Sequence, residues 1–262
     1  MTDHVRDLAS VRDATERLLS AVAALDNAST AEPSRLPGWT RGHVLAHLAR
    51  NADALVNVLQ GRPMYVSARA RDADIERDAP RPLDVQVADV RDTAARMRDV
   101  AAVPADWSRT VELRNGVTDS ASRVPFRRWV EVELHHVDLG IGYELEDLPE
   151  EFTEREIAFL ADRFAGHPDV PPTRLTDGTR AWRTGRRTEE TRDTGETRDT
   201  GGTGEAGVAE ETGAAGGAGA AEITKEITVT GPPADLLGWL AGRREGTALT
   251  VTGGALPALP PL

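Results

Sequence analysis

The chain has 262 residues, 39% of them hydrophobic and only 4% aromatic, with a formal charge of −12 and no cysteine. That length suits one large domain or two modest ones, and the acidic balance disfavours nucleic acid and anionic membranes as partners. The missing thiol excludes a disulfide scaffold, a thiolate metal site and a cysteine nucleophile. Residues 3–25 read as an amphipathic helix, with Val5, Leu8, Val11, Leu18, Leu19, Val22 and Leu25 at three- and four-residue steps. After a Pro- and Ser-rich loop, Thr40 is positioned to cap a second helix running to about Gln60, with Gly61 to stop it. Residues 62–81 are charged and read as irregular. A third helix covers Leu83 to Val103 on a stripe of Val87, Val90, Ala94, Met97 and Ala101, and residues 105–121 fit no assignment. A fourth helix runs from Ser122 to about Leu139, with Pro125 tolerated in its first turn.

Four helices with connected apolar stripes predict an up-down bundle. The pattern changes after Pro149, where Thr153 can cap a short helix from Glu154 to Phe164. Arg180–Arg183, Glu226–Thr230 and Ala248–Thr252 read as strands, and Pro232-Pro233 opens a helix through Leu240. The expected class is therefore α+β, with a bundle over 1–149 and a small α+β domain over 150–262. Residues 185–222 repeat Thr-Arg-Asp-Thr-Gly and then run in Gly, Ala and Glu. Such a segment cannot offset its ordering entropy and reads as a disordered loop insertion. The charged start, Met1-Thr2-Asp3-His4, lacks the apolar run of a signal peptide, and no stretch approaches the roughly 20 apolar residues of a membrane span. A cytoplasmic protein with no membrane partner is expected.

Two helices carry polar residues where apolar ones are expected. His43 and His47 stand one turn apart, and His47 and Asn51 fall on the arc of Val44, Ala54, Leu55 and Val58. Buried polar groups there need partners. On the fourth helix, Phe126, Val130, Leu134 and Val137 form the stripe, and Glu131, His135 and Asp138 form a polar row beside it. Glu131 and His135 are four residues apart. Glu133 and His136 offer a rival pair on the other flank, and spacing leaves the choice open. Two imidazoles and a carboxylate from facing helices make the protein half of an open divalent site. A satisfied core histidine at 47 and a solvent-facing salt-bridge helix are the plainer alternatives.

The stretch Leu36-Pro37-Gly38-Trp39-Thr40-Arg41-Gly42-His43-Val44-Leu45-Ala46-His47-Leu48-Ala49-Arg50-Asn51 resembles the mycothiol-dependent maleylpyruvate isomerases, a family within the DinB-like metal-dependent bundles. Arg71-Asp72-Ala73-Asp74-Ile75-Glu76, the segment from Glu131 to Leu139, and Gly231-Pro232-Pro233 through Trp239-Leu240-Ala241-Gly242-Arg243 resemble it too. Residues 185–222 depart from the family pattern, as does Asp78, where the pattern has glycine. The resemblance implies a divalent metal, zinc being the first choice, on His47, Glu131 and His135. It also implies a catalytic and cofactor-binding role for Arg243.

The implied activity is cis–trans isomerisation of maleylpyruvate to fumarylpyruvate, in aromatic-compound catabolism, by a monomer whose partners are maleylpyruvate and mycothiol. Absence of cysteine then means that the thiolate must be borrowed. Arg243 is expected to hold a carboxylate of the substrate or part of mycothiol. Asn51 and Asp138 are expected to orient ligands. Two alternatives remain: another mycothiol S-transferase on the same scaffold, and a non-enzymatic metal- or thiol-binding regulatory module.

Overall fold

The computed structural model describes residues 3–103, 105–186 and 226–261. Apart from Gly185 and Arg186, the expected insertion over 185–222 lies outside the described residues. The chain divides into two compact units, Met1–Leu148 and Pro149–Leu262. Among the described residues no helix is long and apolar enough to cross a membrane.

In the first unit, α1 (His4–Val22) starts at Asp3, whose carboxylate accepts the Arg6 N–H. α2 (Arg41–Leu59) starts with a reciprocal cap: Thr40 accepts the His43 N–H, and the His43 ring accepts the Thr40 N–H. α4 (Leu83–Ala101) and α5 (Val124–Asp138) complete the set. α2 packs on α4 and α5, and α1 packs on the same two, so the four helices close a ring around a shared core. Leu18, Leu45, Leu48, Leu55, Val90, Met97 and Val132 are buried in it.

Residues 62–81 are not irregular as expected. They contain α3 (Ala68–Asp78), capped by Ser67 and packed on α2. Only Ile75 and Asp78 of this helix are buried, so it has no apolar stripe for periodicity to detect, although Ala, Arg and Glu favour helix. Its end approaches α2 at Gly42, where a Cβ would lie 2.2 Å from the Ala79 carbonyl oxygen. Asp78, the departure from the family pattern, is buried and accepts from Arg50, Arg77 and Arg81, tying α3 to α2.

The inner stripe of α4 also differs from expectation. Gln86 and Thr93 take buried positions, and Val87 and Ala94 are half-buried. Both polar groups find backbone acceptors: Gln86 donates to Ala79 and Arg81 carbonyls, and Thr93 donates to Asp89. The unassigned stretch before α5 forms an antiparallel hairpin, β1 (Thr110–Glu112) and β2 (Thr118–Ser120). Its turn uses Asn115 and Gly116 at φ 61° and 73°, a left-handed pair these residues accept readily.

In the second unit, α6 (Glu150–Arg163) begins after Pro149, so Thr153 is a buried first-turn residue rather than a cap. The sheet has order β4-β3-β5-β6, from β3 (Thr173–Thr176), β4 (Ala181–Thr184), β5 (Ile227–Thr230) and β6 (Thr250–Thr252). β3 and β5 run parallel with Leu175 opposite Val229, and the outer pairs are antiparallel. β3 was not anticipated because Leu175 is its one apolar side chain. α7 (Pro233–Leu240) packs on α6 through a face that buries Leu236, Leu237 and Leu240.

Candidate metal centre

α2 supplies His47, and α5 supplies Glu131 and His135. Two arginines hold these helices at a fixed separation. Arg41 donates from Nε to the Leu139 carbonyl at 2.9 Å and from Nη2 to Gly140 at 3.2 Å, satisfying carbonyls that the end of α5 leaves open. Farther along, Arg128 Nη1 donates to the Leu48 carbonyl and to Asn51 Oδ1, each at 2.8 Å.

Between these clamps the three candidate ligands converge. His47 Nε2 is 2.9 Å and His135 Nε2 3.2 Å from the same Glu131 oxygen, Oε2. One ligand atom from each residue lies within 4.8 Å of the others, and among the described residues this is the one such His and carboxylate cluster. Ligand atoms about 2.1 Å from a tetrahedral ion stand roughly 3.4 Å apart, so the donor set and its spacing fit a divalent cation of the zinc type. His135 Nδ1 donates to Asp138 Oδ2 at 2.9 Å, and Asp138 is fully buried. That bond places a proton on Nδ1 and reserves Nε2 for the cluster.

The electrostatics agree with that use. Burial pushes the His47 imidazole down to about 4, leaving it neutral at pH 7, with Nε2–H towards Glu131 and the Nδ1 lone pair towards Arg71. Burial also works against charge on His135, but its bonds to Asp138 and Glu131 raise its pKa overall. For Glu131, desolvation is outweighed by hydrogen bonds from His135 and His47, which hold it well below the usual carboxylate range. The cluster thus presents a carboxylate and two imidazoles whose Nε2 protons a cation can replace.

The surroundings include residues that the sequence reading gave no role. The Trp39 ring lies 5.5 Å from His47, which meets His135 edge-on at 4.6 Å. Arg71, on α3, places Nη2 3.2 Å from His47 Nδ1 and lies close enough to Tyr65 to influence its hydroxyl. The Tyr65 side lines a cavity of about 610 Å³ between the end of α2, residues 61–68 and the β1–β2 hairpin. The position of Arg71 depends on α3, a helix without an apolar stripe, so spacing could not reveal it.

The rival pair is engaged elsewhere. Glu133 accepts from Arg17, Trp129 and the Tyr143 hydroxyl, and His136 stacks on Tyr143 at 4.0 Å. His43 is occupied by the α2 cap, with Nε2 3.4 Å from Glu76. Asn51 bonds Arg128 rather than a candidate ligand, correcting the role expected for it. Arg243 follows α7 in the second unit, half-buried, with Nη1 donating to the Ala241 carbonyl at 2.6 Å.

A family model described as the mycothiol maleylpyruvate isomerase N-terminal domain matches residues 11–140, and one described as the MDMPI C-terminal domain matches 147–261. The chain belongs to the mycothiol-dependent maleylpyruvate isomerase family. Two solved structures are similar over 99% of this chain and 97% of theirs, at 24% identity. One is a mycothiol-dependent maleylpyruvate isomerase, with TM-score 0.78, and the other a histidine-to-alanine mutant of such an isomerase, with TM-score 0.77. No curated protein matches the chain. His47, Glu131 and His135 fall within the N-terminal family match, and Arg243 falls within the C-terminal one.

Proposed function

We propose that the chain isomerises maleylpyruvate to fumarylpyruvate with mycothiol, using a divalent metal, zinc by preference, held by His47, Glu131 and His135. The observation that carries this reading is the convergence of those donors inside the family's N-terminal domain. When bound, the metal supplies positive charge that favours a thiolate, and mycothiol supplies the sulfur for reversible addition to a cis double bond. The chain has no cysteine with which to do this itself.

The remaining work falls to the chain's own residues. Asp138 retains the His135 Nδ1 proton and fixes that ring, while the neutral His47 has a single ring proton to move off Nε2 when it ligates. Trp39 and the buried face of α2 exclude water from one side of His47. Arg71 and Tyr65 present donors at the other side, suited to negative charge on a keto acid. Arg243 is assigned a carboxylate of the substrate or part of mycothiol, from its place after the Trp-Leu-x-Gly sequence.

The test is to follow the loss of maleylpyruvate absorbance with and without mycothiol, before and after chelation. Turnover should require both the thiol and the metal and should return with added zinc. Full turnover by metal-free protein, or without mycothiol, would overturn the reading.

A further inference from the structure

Arg128 stands on α5, three residues before Glu131, and has no exposed surface. Its Nη1 is committed to the Leu48 carbonyl and Asn51 Oδ1, but Nε and Nη2 meet no partner. The titratable groups acting on it are Glu131, Tyr65 and Asp53, and burial pushes its pKa down to about 10. None of them makes a hydrogen bond to the open nitrogens. Glu131 is held by His47 and His135, and Asp53 by Arg50 and Arg96. A buried cation with two unmet donors is costly.

The identity of the open atoms points to what would satisfy them. Nε and Nη2 form one edge of the guanidinium, the edge that grips a carboxylate through two parallel N–H bonds. Nη1, on the other side, ties the group to Leu48, the residue after His47. Arg128 therefore sits beside the metal centre, and Tyr65, whose ionisation is linked to its charge, lines the cavity at the end of α2. We propose that Arg128 is a carboxylate-binding residue of this centre, its Nε and Nη2 edge taking one carboxylate of a small dicarboxylic substrate. The choice of a dicarboxylic acid rests on the isomerase reading, whereas the open edge does not. Binding a carboxylate would satisfy both donors and neutralise the cation at once.

Two measurements test this. In the first, chelated protein is unfolded thermally with and without maleate, at matched ionic strength. Maleate should raise the wild-type midpoint, by preferential binding to the folded state, and its monomethyl ester should raise it less. Arg128→Met replaces the cation with an apolar chain of similar length and also removes the Nη1 tie to Leu48 and Asn51; measured against its own ligand-free midpoint, it should lose the maleate effect. Arg128→Lys keeps the charge without the two-pronged edge and should lose it too, carrying the comparison if the Met variant does not fold. In the second, with metal-loaded enzyme, the KM for maleylpyruvate should rise roughly 100-fold in both variants, with the KM for mycothiol unchanged. A maleate effect retained in the variants, or an unchanged maleylpyruvate KM, overturns the proposal while leaving the isomerase reading standing. A maleate effect that depends on Arg128 in a protein without maleylpyruvate turnover supports the proposal and overturns the isomerase reading alone.

Discussion

Asp138→Asn separates a ligand-orienting carboxylate from a merely buried one. Asp138 is fully buried and accepts the His135 Nδ1 proton at 2.9 Å. An amide can meet that nitrogen in two ways. With its NH2 turned inward it moves the ring proton to Nε2, the ligand atom; with its oxygen inward it keeps the tautomer but removes the negative charge. Either outcome weakens His135 as a ligand, and loss of such a partner costs about 10- to 100-fold in metal affinity, or about 1.4–2.7 kcal/mol. The assay is competition for zinc against a chromophoric chelator at pH 7.5, beside the unfolding midpoint of the metal-free protein. The sign of the pH dependence is a second check. Asp138 is the first group that raises the His135 pKa against the effect of burial. In the wild type, protons therefore compete with the metal at higher pH than in the variant. The affinity defect should be widest at high pH and narrow as the pH falls. Affinity within threefold of wild type across this range would refute the reasoning.

Three further outcomes are expected. Arg243→Ala should keep its metal content, measured by elemental analysis, while turnover falls by at least tenfold; unchanged turnover would reduce Arg243 to a residue that closes the end of α7. His136 has its pKa lowered to about 4 by burial, against about 6.5 when unfolded, so its contribution is present above pH 6.5 and lost as the pH falls towards 4. That loss amounts to about 3 kcal/mol, and His136→Phe, in the same metal state, should flatten this part of a pH series of urea unfolding. Gly42→Ala drives a methyl group to 2.2 Å from the Ala79 carbonyl oxygen, which should cost about 1–3 kcal/mol in the same assay.

The bundle was legible where periodicity and caps agreed. Thr40 and Gly61 bound α2 within a residue of expectation because one supplies a side-chain acceptor and the other a positive φ of 74°. α3 and β3 were not legible, since each carries a single buried apolar side chain, Ile75 and Leu175 respectively, too few to set a period. At the candidate site, the polar row of Glu131, His135 and Asp138 was visible as an i, i+4, i+7 pattern, and Asn51 was visible as a polar residue in an apolar stripe. Its partner, Arg128, was not. An arginine between Phe126 and Val130 looks like any surface cation, and only the packing of α5 against α2 shows that it is enclosed.

Why one carboxylate–histidine pair of α5 suits a metal and the other does not follows from the donors around each carboxylate. Glu133 Oε1 accepts from Arg17 at 2.5 Å and Trp129 at 2.9 Å, and Oε2 accepts from Tyr143 at 2.8 Å. These donors cannot be removed without leaving a buried carboxylate unpaired, which makes ligation by Glu133 a net loss. Glu131 Oε2 instead faces two imidazole nitrogens, whose protons a cation can replace while the rings remain in place. His136 shows the same contrast with His135, because it faces the Tyr143 ring and has no carboxylate to orient it, whereas His135 has Asp138. Spacing along the helix is nearly the same for both pairs; the difference lies in whether the neighbouring donors are fixed cations, hydroxyls and indoles or exchangeable imidazole protons.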